Sequence, residues 1–304
     1  MAEGYKRQNV GAPILHALVE LGGSADRQKI KEQIVDDSTN NLTYEDVFEP
    51  ITSKKGNQYI PFNFDFNFGL QELSYLGYIE NYSRKGDIVL TEKGRLVNID
   101  LYPNKKEQEQ IRKFWAAKHS NNEQSKTKDT EDKSSSLETA EEEKDVENAL
   151  DQWKIDVLDK IKQFSPKKFE SFSRLLFSKM GVKFDPVKGV KMSGDHGMDG
   201  YGTFVSDEFR TSKVVMQCKR FTNSPVSGPD IDKFKGVMDS ENADYGIFVT
   251  TSYFTPDAKT KALQGSRTVT LINGQDLVKL IERYELHIKP VITYELDDYY
   301  SEQD

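Results

Sequence analysis

Polar residues interrupt the otherwise apolar stretch VVMQCKRF, which runs from Val214 to Phe221. Gln217 and Lys219 lie two positions apart in this run. Successive side chains of a strand point to opposite faces, so this spacing places both polar groups on one face. Cys218 lies between them and then faces the other way, where we expect a buried structural thiol rather than a nucleophile.

A carboxylate is expected to join this polar pair. The glycine-rich stretch GDHGMDGYG, residues 194–202, delivers Asp199 to the start of the preceding strand. The short connection SDEFRT joins the two strands as a hairpin, so an antiparallel neighbour can bring Asp199 beside Gln217 and Lys219. Glu170 belongs to an amphipathic helix, SPKKFESFSRLLFSKMGV, and supplies a second carboxylate if that helix adjoins the hairpin.

Two carboxylates, an amide oxygen and an ammonium together suit the hydrolysis of a phosphodiester. A hard divalent cation such as Mg²⁺ takes oxygen ligands and keeps several waters. We expect Asp199, the side-chain oxygen of Gln217 and the backbone carbonyl of Cys218 to hold it, with Glu170 as an outer ligand or bound through water. Lys219 would orient the attacking water and offset charge in the transition state. An acid followed at this distance by Gln-x-Lys also arises by chance in so charged a chain, as a surface ion pair.

The second half of the chain predicts an α/β domain over residues 150–294. After the helix that carries Glu170, strands are predicted at about 185–191, 199–206 and 213–220. Further strands, YGIFVTT and TVTLI, alternate with helices. A hairpin followed by strand-helix-strand units predicts a mixed sheet flanked by helices.

The first 116 residues predict a mainly α, winged-helix domain. Helices are predicted in APILHALVELGG, in SADRQKIKEQIVDD with Ser24 as its cap, and in NFDFNFGLQELSYLGYI; a hairpin, YIENYSRKGDIVLTEKG, follows. Winged helices often bind DNA through the third helix, and a protein-contact domain of the same fold is the alternative. The residues expected to contact DNA are Lys54, Lys55, Asn67, Gln71, Arg84, Lys85 and, beyond this domain, Arg220.

Negative charge is concentrated in two segments. Residues 117–149 are predicted to be a disordered acidic linker, because this segment lacks the apolar residues needed for a core. Residues 295–304 form an acidic tail. Residues 117–148 and the tail contribute −5 each to a net charge of −8, so the rest of the chain carries +2. The body that would meet DNA is therefore mildly basic.

Several other classes of function are disfavoured by the sequence. No apolar run is long enough to span a bilayer and the first residues contain no apolar signal region, so a cytoplasmic protein without membrane contact is expected. A single cysteine excludes an internal disulfide and a multi-cysteine zinc site. A phosphate-binding loop of the type GxxxxGK[ST] is absent from the sequence, so no use of ATP is expected.

Four stretches in the same order, FESF, GDHGMDGYG, VVMQCKRF and YGIFVTTSYFT, carry a family resemblance. The second domain resembles the catalytic domain of the Mrr-like restriction endonucleases, the Gln-x-Lys variant of the PD-(D/E)XK nuclease superfamily. The first domain is similar to the DNA-binding domain that precedes that nuclease. The resemblance implies that Asp199 is the motif aspartate, Gln217 and Lys219 the Gln-x-Lys, and Glu170 the helix glutamate. His196 departs from the pattern, since a small residue is usual there, and we expect it to be a solvated loop residue.

The resemblance implies a restriction-endonuclease-like mixed sheet and a Mg²⁺-dependent deoxyribonuclease, with Mn²⁺ as a substitute metal. Its substrate would be double-stranded DNA, and whether that DNA must be modified stays open. One site per chain cuts one strand at a time, so a homodimer or higher homo-oligomer is expected. Two alternatives stay open: a DNA-binding protein on a nuclease fold that no longer cuts, and a protein-interaction module that uses the winged helix.

Overall fold

The chain divides into two compact units, residues 1–156 and 157–304. The computed structural model describes residues 8–53, 56, 58–82, 86–124, 152–187, 198–207, 210–222 and 224–291. Four predicted DNA contacts, Lys54, Lys55, Arg84 and Lys85, lie outside these ranges. So do His196, most of the predicted linker and the acidic tail. In the described part of the chain, none of the helices has the length and apolar character needed to cross a membrane.

The first unit is mainly helical. Its helices are α1 (Gly11–Glu20), α2 (Arg27–Asp36), α3 (Tyr44–Phe48), α4 (Phe62–Tyr75), α5 (Glu92–Arg95) and α6 (Lys105–Gln124), with a 3₁₀ turn at Ile99–Leu101. Strand β1 (Ser24–Ala25) pairs antiparallel with β4 (Ile88–Val89), and β2 (Ile51–Thr52) pairs with β3 (Gln58–Tyr59). A single bridge joins Ile79 to Leu90. Buried apolar side chains from α1, α2 and α4 form its core, among them Ile14, Leu18, Ile30, Phe66 and Leu70.

The winged-helix assignment of this unit stays a prediction, and its elements follow a more complex order than three helices and a hairpin. A helix, a short strand and a second helix are followed by α4 and then by two paired segments around Ile79 and Leu90. Helix α3 and the β2–β3 pair are inserted between α2 and α4. The predicted cap of the second helix was wrong. Ser24 lies in β1, and Asp26 caps α2 by accepting a hydrogen bond from the N–H of Lys29.

The predicted start of the linker at residue 117 was also wrong, because α6 continues to Gln124. Its aromatic side chains pack on α4: Phe114 stacks on Tyr75, with ring centroids 4.5 Å apart, and Trp115 contacts Phe68 at 5.2 Å. The residues after Trp115 are mostly polar residues that a helix already formed can extend without a core of their own. A lack of apolar residues therefore did not mark the end of the helix.

The second unit contains one five-stranded mixed sheet with the strand order β5-β6-β7-β8-β9. The strands are β5 (Lys183–Phe184), β6 (Gly200–Asp207), β7 (Arg210–Lys219), β8 (Tyr245–Thr250) and β9 (Val269–Ile272). The pairs β5–β6 and β6–β7 are antiparallel, and β7–β8 and β8–β9 are parallel. The predicted mixed α/β sheet is confirmed. The strand expected at 185–191 begins earlier, as β5, and residues 188–191 lie outside the described residues.

Helices cover both faces of this sheet. Residues 152–162 form α7, followed by α8 (Pro166–Lys179), α9 (Gly228–Ser240), α10 (Pro256–Leu263) and α11 (Gly274–Arg283). Val214 and Met216 of β7 belong to the core cluster that contains Phe169 of α8. Val215 belongs instead to the cluster that contains Phe234 of α9. The alternation predicted for β7 therefore separates an α8 face from an α9 face of the sheet.

A fragment that begins at residue 150 is expected to fold without the first unit. Each unit has its own core cluster, so removing one should leave the other intact. We expect residues 150–304 to melt in one cooperative transition, measured by circular dichroism, and to bind DNA less tightly than the full chain. An unfolded fragment, or one with the same affinity for DNA, would contradict this division of roles.

Candidate active site

The hairpin of β6 and β7 brings Asp199 to the residues predicted to lie beside it. Gly200 pairs with Met216, so Asp199, one residue earlier, meets the end of β7. The N–H of Asp199 donates to the carbonyl oxygen of Met216 at 2.8 Å. In return, the N–H of Cys218 donates to Asp199 Oδ2 at 2.7 Å. Antiparallel register alone would place Asp199 opposite Gln217, and these hydrogen bonds hold its carboxylate there.

Helix α8 contributes two charged groups to the same place. Ser165 caps this helix and Pro166 takes its first position. Arg174 Nη1 donates to the backbone oxygen of Asp199 at 2.6 Å. Glu170 lies four residues earlier on α8, so Glu170 and Arg174 share a helix face. Arg174 was not predicted from the sequence, although its four-residue spacing from Glu170 is a signal that could have identified it.

The charge of Asp199 is only partly compensated. Burial raises the pKa of Asp199 to about 6, the negative charge of Glu170 adds to this, and the N–H of Cys218 and the charge of Arg174 oppose it. Within the described ranges, Asp199 Oδ1 accepts no hydrogen bond. The charge of Glu170 therefore adds to the cost that burial imposes on ionised Asp199, as happens where a cation is to be held.

Asp199→Asn should stabilise the protein at pH 8 when EDTA keeps it free of metal. The folded pKa of Asp199 lies above its ordinary value of 3.8, so the folded state binds more protons between about pH 4 and 6 and loses stability as the pH rises through that window. The neutral amide escapes this loss, which we expect to be about 1–3 kcal/mol. Chemical unfolding at pH 8 and pH 4 measures it: the gain should appear at pH 8 and vanish at pH 4. Equal or lower stability of the variant at pH 8 would contradict the raised pKa.

Cys218 faces the α8 side of the sheet, against the cluster that includes Met216 and Phe169. Burial raises the pKa of its thiol, and the charge of Asp199 raises it further. A thiol that resists ionisation is a poor nucleophile, which agrees with the structural role expected for Cys218. Only its backbone groups face the site: its N–H binds Asp199, and its carbonyl is the ligand proposed from the sequence.

The ammonium of Lys219 binds an acid that the sequence analysis did not single out. Its Nζ lies 2.5 Å from Oδ1 of Asp230, in the first turn of α9. Burial alone would raise the pKa of Asp230, but hydrogen bonds from Lys219 and Ser227 outweigh it and lower this pKa to about 2. Lys219 therefore lies on the α9 side of the site. Its contact with Asp230 joins a strand to a helix, so no periodic pattern in the sequence could predict it.

The residues present fit a hard divalent cation. Among the residues that the structure describes, no three His, Cys, Asp or Glu side chains cluster as a metal site. A cation here would therefore depend on amide and backbone oxygens in addition to Asp199 and Glu170. Gln217 and the carbonyl of Cys218 lie on the adjoining strand and offer such oxygens, which Mg²⁺ accepts. The elevated pKa of Asp199 points to the same use.

Arg220, a predicted DNA contact, interacts with the protein itself. Its Nη1 donates to the carbonyl oxygen of Lys162, at the end of α7, at 2.7 Å. Its Nε is buried without a hydrogen-bond partner among the described residues. These contacts connect α7 to the end of β7, and a DNA contact by the rest of the guanidinium stays a prediction.

In the first unit, cations lie along the polar face of α4. Arg27 Nη1 donates to Asn67 Oδ1 at 2.6 Å, and Lys31 Nζ donates to Asn63 Oδ1 at 2.5 Å. Both cations come from α2. Near the other end of α4, Lys118 of α6 donates to Gln71 Oε1 at 2.6 Å. The sequence analysis predicted Asn67 and Gln71 but missed the cations beside them, because α2 and α6 are distant in the chain.

Helix α6 covers part of this candidate recognition helix. Trp115 Nε1 donates to Glu72 Oε1 at 2.7 Å, and its ring contacts Phe68. Phe114 stacks on Tyr75. The second half of α4 is therefore engaged with α6, and the first half, around Asn63 and Asn67, lies beside the cations of α2.

Comparison with known proteins assigns the second unit. Residues 161–281 match the family model Mrr_cat, described as a restriction endonuclease. This range contains Glu170, Asp199, Gln217 and Lys219. Residues 161–281 are a Mrr-type restriction endonuclease domain. The family predicted from the four sequence stretches is thereby confirmed for this domain, and the first unit lies outside the matched range.

Three proteins resemble part of the chain. The type IV methyl-directed restriction enzyme EcoKMrr of Escherichia coli (strain K12) is 32% identical over 135 residues, which cover 44% of this chain and 43% of that protein. The chain thus matches less than half the length of this relative. Among solved structures, the DNA modification-dependent restriction endonuclease AspBHI matches with a TM-score of 0.36 at 15% identity. The match covers 45% of this chain and 36% of the AspBHI chain. MspJI restriction endonuclease in complex with a 27-mer oligonucleotide has a TM-score of 0.35 at 21% identity, over 43% and 31% of the two chains.

Proposed function

We propose that this protein is a metal-dependent endonuclease that hydrolyses phosphodiester bonds in double-stranded DNA. The observation that carries the proposal is the meeting of Asp199 with the end of β7, where Cys218 donates to its carboxylate. Gln217 and Lys219 flank that contact on the same strand. Burial raises the pKa of Asp199, and the charge of Glu170 on α8 adds to this effect. The Mrr-type domain supports this assignment, because its matched range contains all four residues.

Asp199, Gln217 and the carbonyl of Cys218 would hold Mg²⁺, with Glu170 as an outer ligand or bound through water; Mn²⁺ would substitute. When bound, the metal acidifies a water and neutralises charge on the scissile phosphate. Asp199 must be ionised for this role, and its pKa of about 6 leaves it mostly ionised at neutral pH. Lys219 would orient the attacking water and stabilise charge that develops on the phosphate.

The first unit would act as a winged-helix domain that binds DNA. Arg27 and Lys31 lie beside Asn67 and Asn63 on α4, so phosphate-binding cations adjoin amides that can read base edges. Asn and Gln side chains pair with adenine in the major groove, which suits Asn67 and Gln71. Because α6 engages the second half of α4, we propose that the first half makes the closer approach to DNA. Lys54, Lys55, Arg84 and Lys85 remain proposed phosphate contacts.

We further propose that the substrate is methylated DNA and that the active form is a homodimer or a larger homo-oligomer. The first point is supported by a relative whose name describes a methyl-directed restriction enzyme. The second follows from chemistry, because one Asp199/Lys219 site cuts one strand at a time. Nicked intermediates should therefore accumulate only when a second copy is limiting.

The decisive test is cleavage of supercoiled plasmid by the purified full chain in Mg²⁺, with EDTA as the control. Plasmids carrying adenine methylation, cytosine methylation or neither should be compared at equal salt, because salt alone changes DNA affinity. We expect Mg²⁺-dependent linear product, most of it from a methylated plasmid. Tight DNA binding without any cleavage in Mg²⁺ or Mn²⁺ would favour the alternative, a nuclease fold that binds DNA and no longer cuts.

A further inference from the structure

We propose that Asp230 is a positioning residue that holds the ammonium of Lys219 in place for catalysis, an inference that rests on the proposed function. The Lys219 Nζ to Asp230 Oδ1 distance is 2.5 Å. The side chains of Lys219 and Asp230 are only 29% and 18% exposed. An ion pair sheltered to this degree is screened less by solvent than a surface pair, so it can restrict the lysine.

Asp230 is itself held from the other side. Its Oδ2 accepts hydrogen bonds from the N–H of Ser227 at 3.0 Å and from Ser227 Oγ at 2.7 Å. The first of these hydrogen bonds belongs to the capping box at the start of α9, a helix of 13 residues. One carboxylate oxygen is therefore fixed to the helix start, and the other is left for Lys219.

The geometry of Lys219 explains why such a restraint is needed. A lysine side chain is a flexible four-carbon stem that ends in a point charge, and its free ammonium samples many positions. Lys219 lies near the end of β7, with its Nζ 5.5 Å from the centroid of the Phe221 ring. The carboxylate of Asp230 selects the rotamers that keep the ammonium at this end of the strand, beside Gln217. A misplaced ammonium would still attract DNA but would stabilise the transition state less well.

Removal of the Asp230 charge should therefore lower kcat and leave KM for DNA nearly unchanged. We expect Asp230→Asn to reduce kcat roughly tenfold to a hundredfold, with KM within about twofold of the wild type. Asp230→Glu should restore most of the rate, because Glu also forms a capping box at this position and keeps the carboxylate. Asp232→Asn is the matched control: Asp232 lies on the same helix, is more exposed and pairs with Lys261 instead of Lys219.

The test compares these three variants with wild type in steady-state plasmid cleavage with the full chain. Circular dichroism reports their folding, and the ¹⁵Nζ resonance of Lys219, assigned by its loss in Lys219→Arg, reports the ion pair without cleavage. The resonance should be sharp in the wild type and in Asp230→Glu and broadened in Asp230→Asn. If Asp230→Asn fails to fold, the wild-type resonance and the cleavage rate of Asp230→Glu still test whether Asp230 restrains Lys219.

The outcomes distinguish failure of the positioning role of Asp230 from failure of the proposed nuclease activity. A wild type that cuts while Asp230→Asn keeps its kcat would overturn the positioning role and leave the nuclease standing. The same follows if Asp230→Glu folds but fails to recover the rate, if only KM rises, or if the wild-type resonance is already broad. A wild type that cuts no plasmid overturns both.

Discussion

Lys219→Ala is expected to abolish DNA cleavage and leave folding and DNA binding nearly unchanged. The lysine lies near the end of β7, paired with Asp230 and partly exposed, so its loss opens no cavity in the core. If its ammonium stabilises the transition state at the phosphate, the rate should fall by about a thousandfold or more. Plasmid cleavage in Mg²⁺ gives the rate, and a gel-shift assay in EDTA gives the affinity for DNA.

Lys213→Ala is a suitable control for that experiment. Lys213 lies on the same strand, is exposed, and has the same parity along β7 as Lys219. The Lys213→Ala variant loses the same charge as Lys219→Ala but at a position far from Asp199, so it should cleave DNA at the wild-type rate. Cleavage by Lys219→Ala at a rate near that of Lys213→Ala would remove Lys219 from the mechanism.

Gln217→Glu should raise the affinity of the free protein for Mg²⁺ and keep activity. An amide oxygen binds a hard cation less strongly than a carboxylate, so the wild-type site should hold metal weakly until the DNA phosphate adds negative charge. The cross-strand position opposite Asp199 puts the new carboxylate beside an acid already held by Cys218. We expect affinity to rise by about tenfold, the effect of roughly 1.4 kcal/mol.

Asp199→Asn should remove activity in the same assay, since it deletes the carboxylate that the hairpin presents. Calorimetric titration of Mg²⁺ or Mn²⁺ into wild type and both variants, with and without uncleavable DNA, measures the coupling of metal and DNA. Gln275→Glu is the control, because it adds the same charge at the start of α11, which follows β9, two strands from β7 in the sheet. Unchanged metal affinity in Gln217→Glu together with full activity in Asp199→Asn would show that the hairpin does not hold the metal.

Part of the candidate site could be predicted from local sequence patterns. The two-residue spacing of Gln217 and Lys219, and their common face, follow from strand geometry alone. The pairing of β6 with β7 also follows from the short connection between them. A short connection allows few registers, and the observed one places Asp199 opposite Gln217. These features depend on neighbours in the sequence, so they could be predicted before the fold was known.

The errors occurred where a boundary depended on distant contacts. Ser24 was predicted to cap α2, but its pairing with Val89 places it in a strand, and the helix starts after Asp26. The linker was predicted to begin at residue 117, yet Phe114 and Trp115 pack on α4 and the helix continues past them. A pairing or packing partner more than 30 positions away leaves no periodic signal in the local sequence.

The sequence by itself determined the Mrr-type nuclease motif, the alternation of β7 and the mixed α/β character of the sheet, because each depends on short-range periodicity and on turns. Only the tertiary structure decided which charges surround the motif. Arg174 reaches the backbone of Asp199, and Asp230 reaches Lys219, because α8 and α9 pack on opposite faces of the sheet. Packing sets the position and direction of a helix relative to a strand, and the spacing of residues along the chain does not encode that geometry.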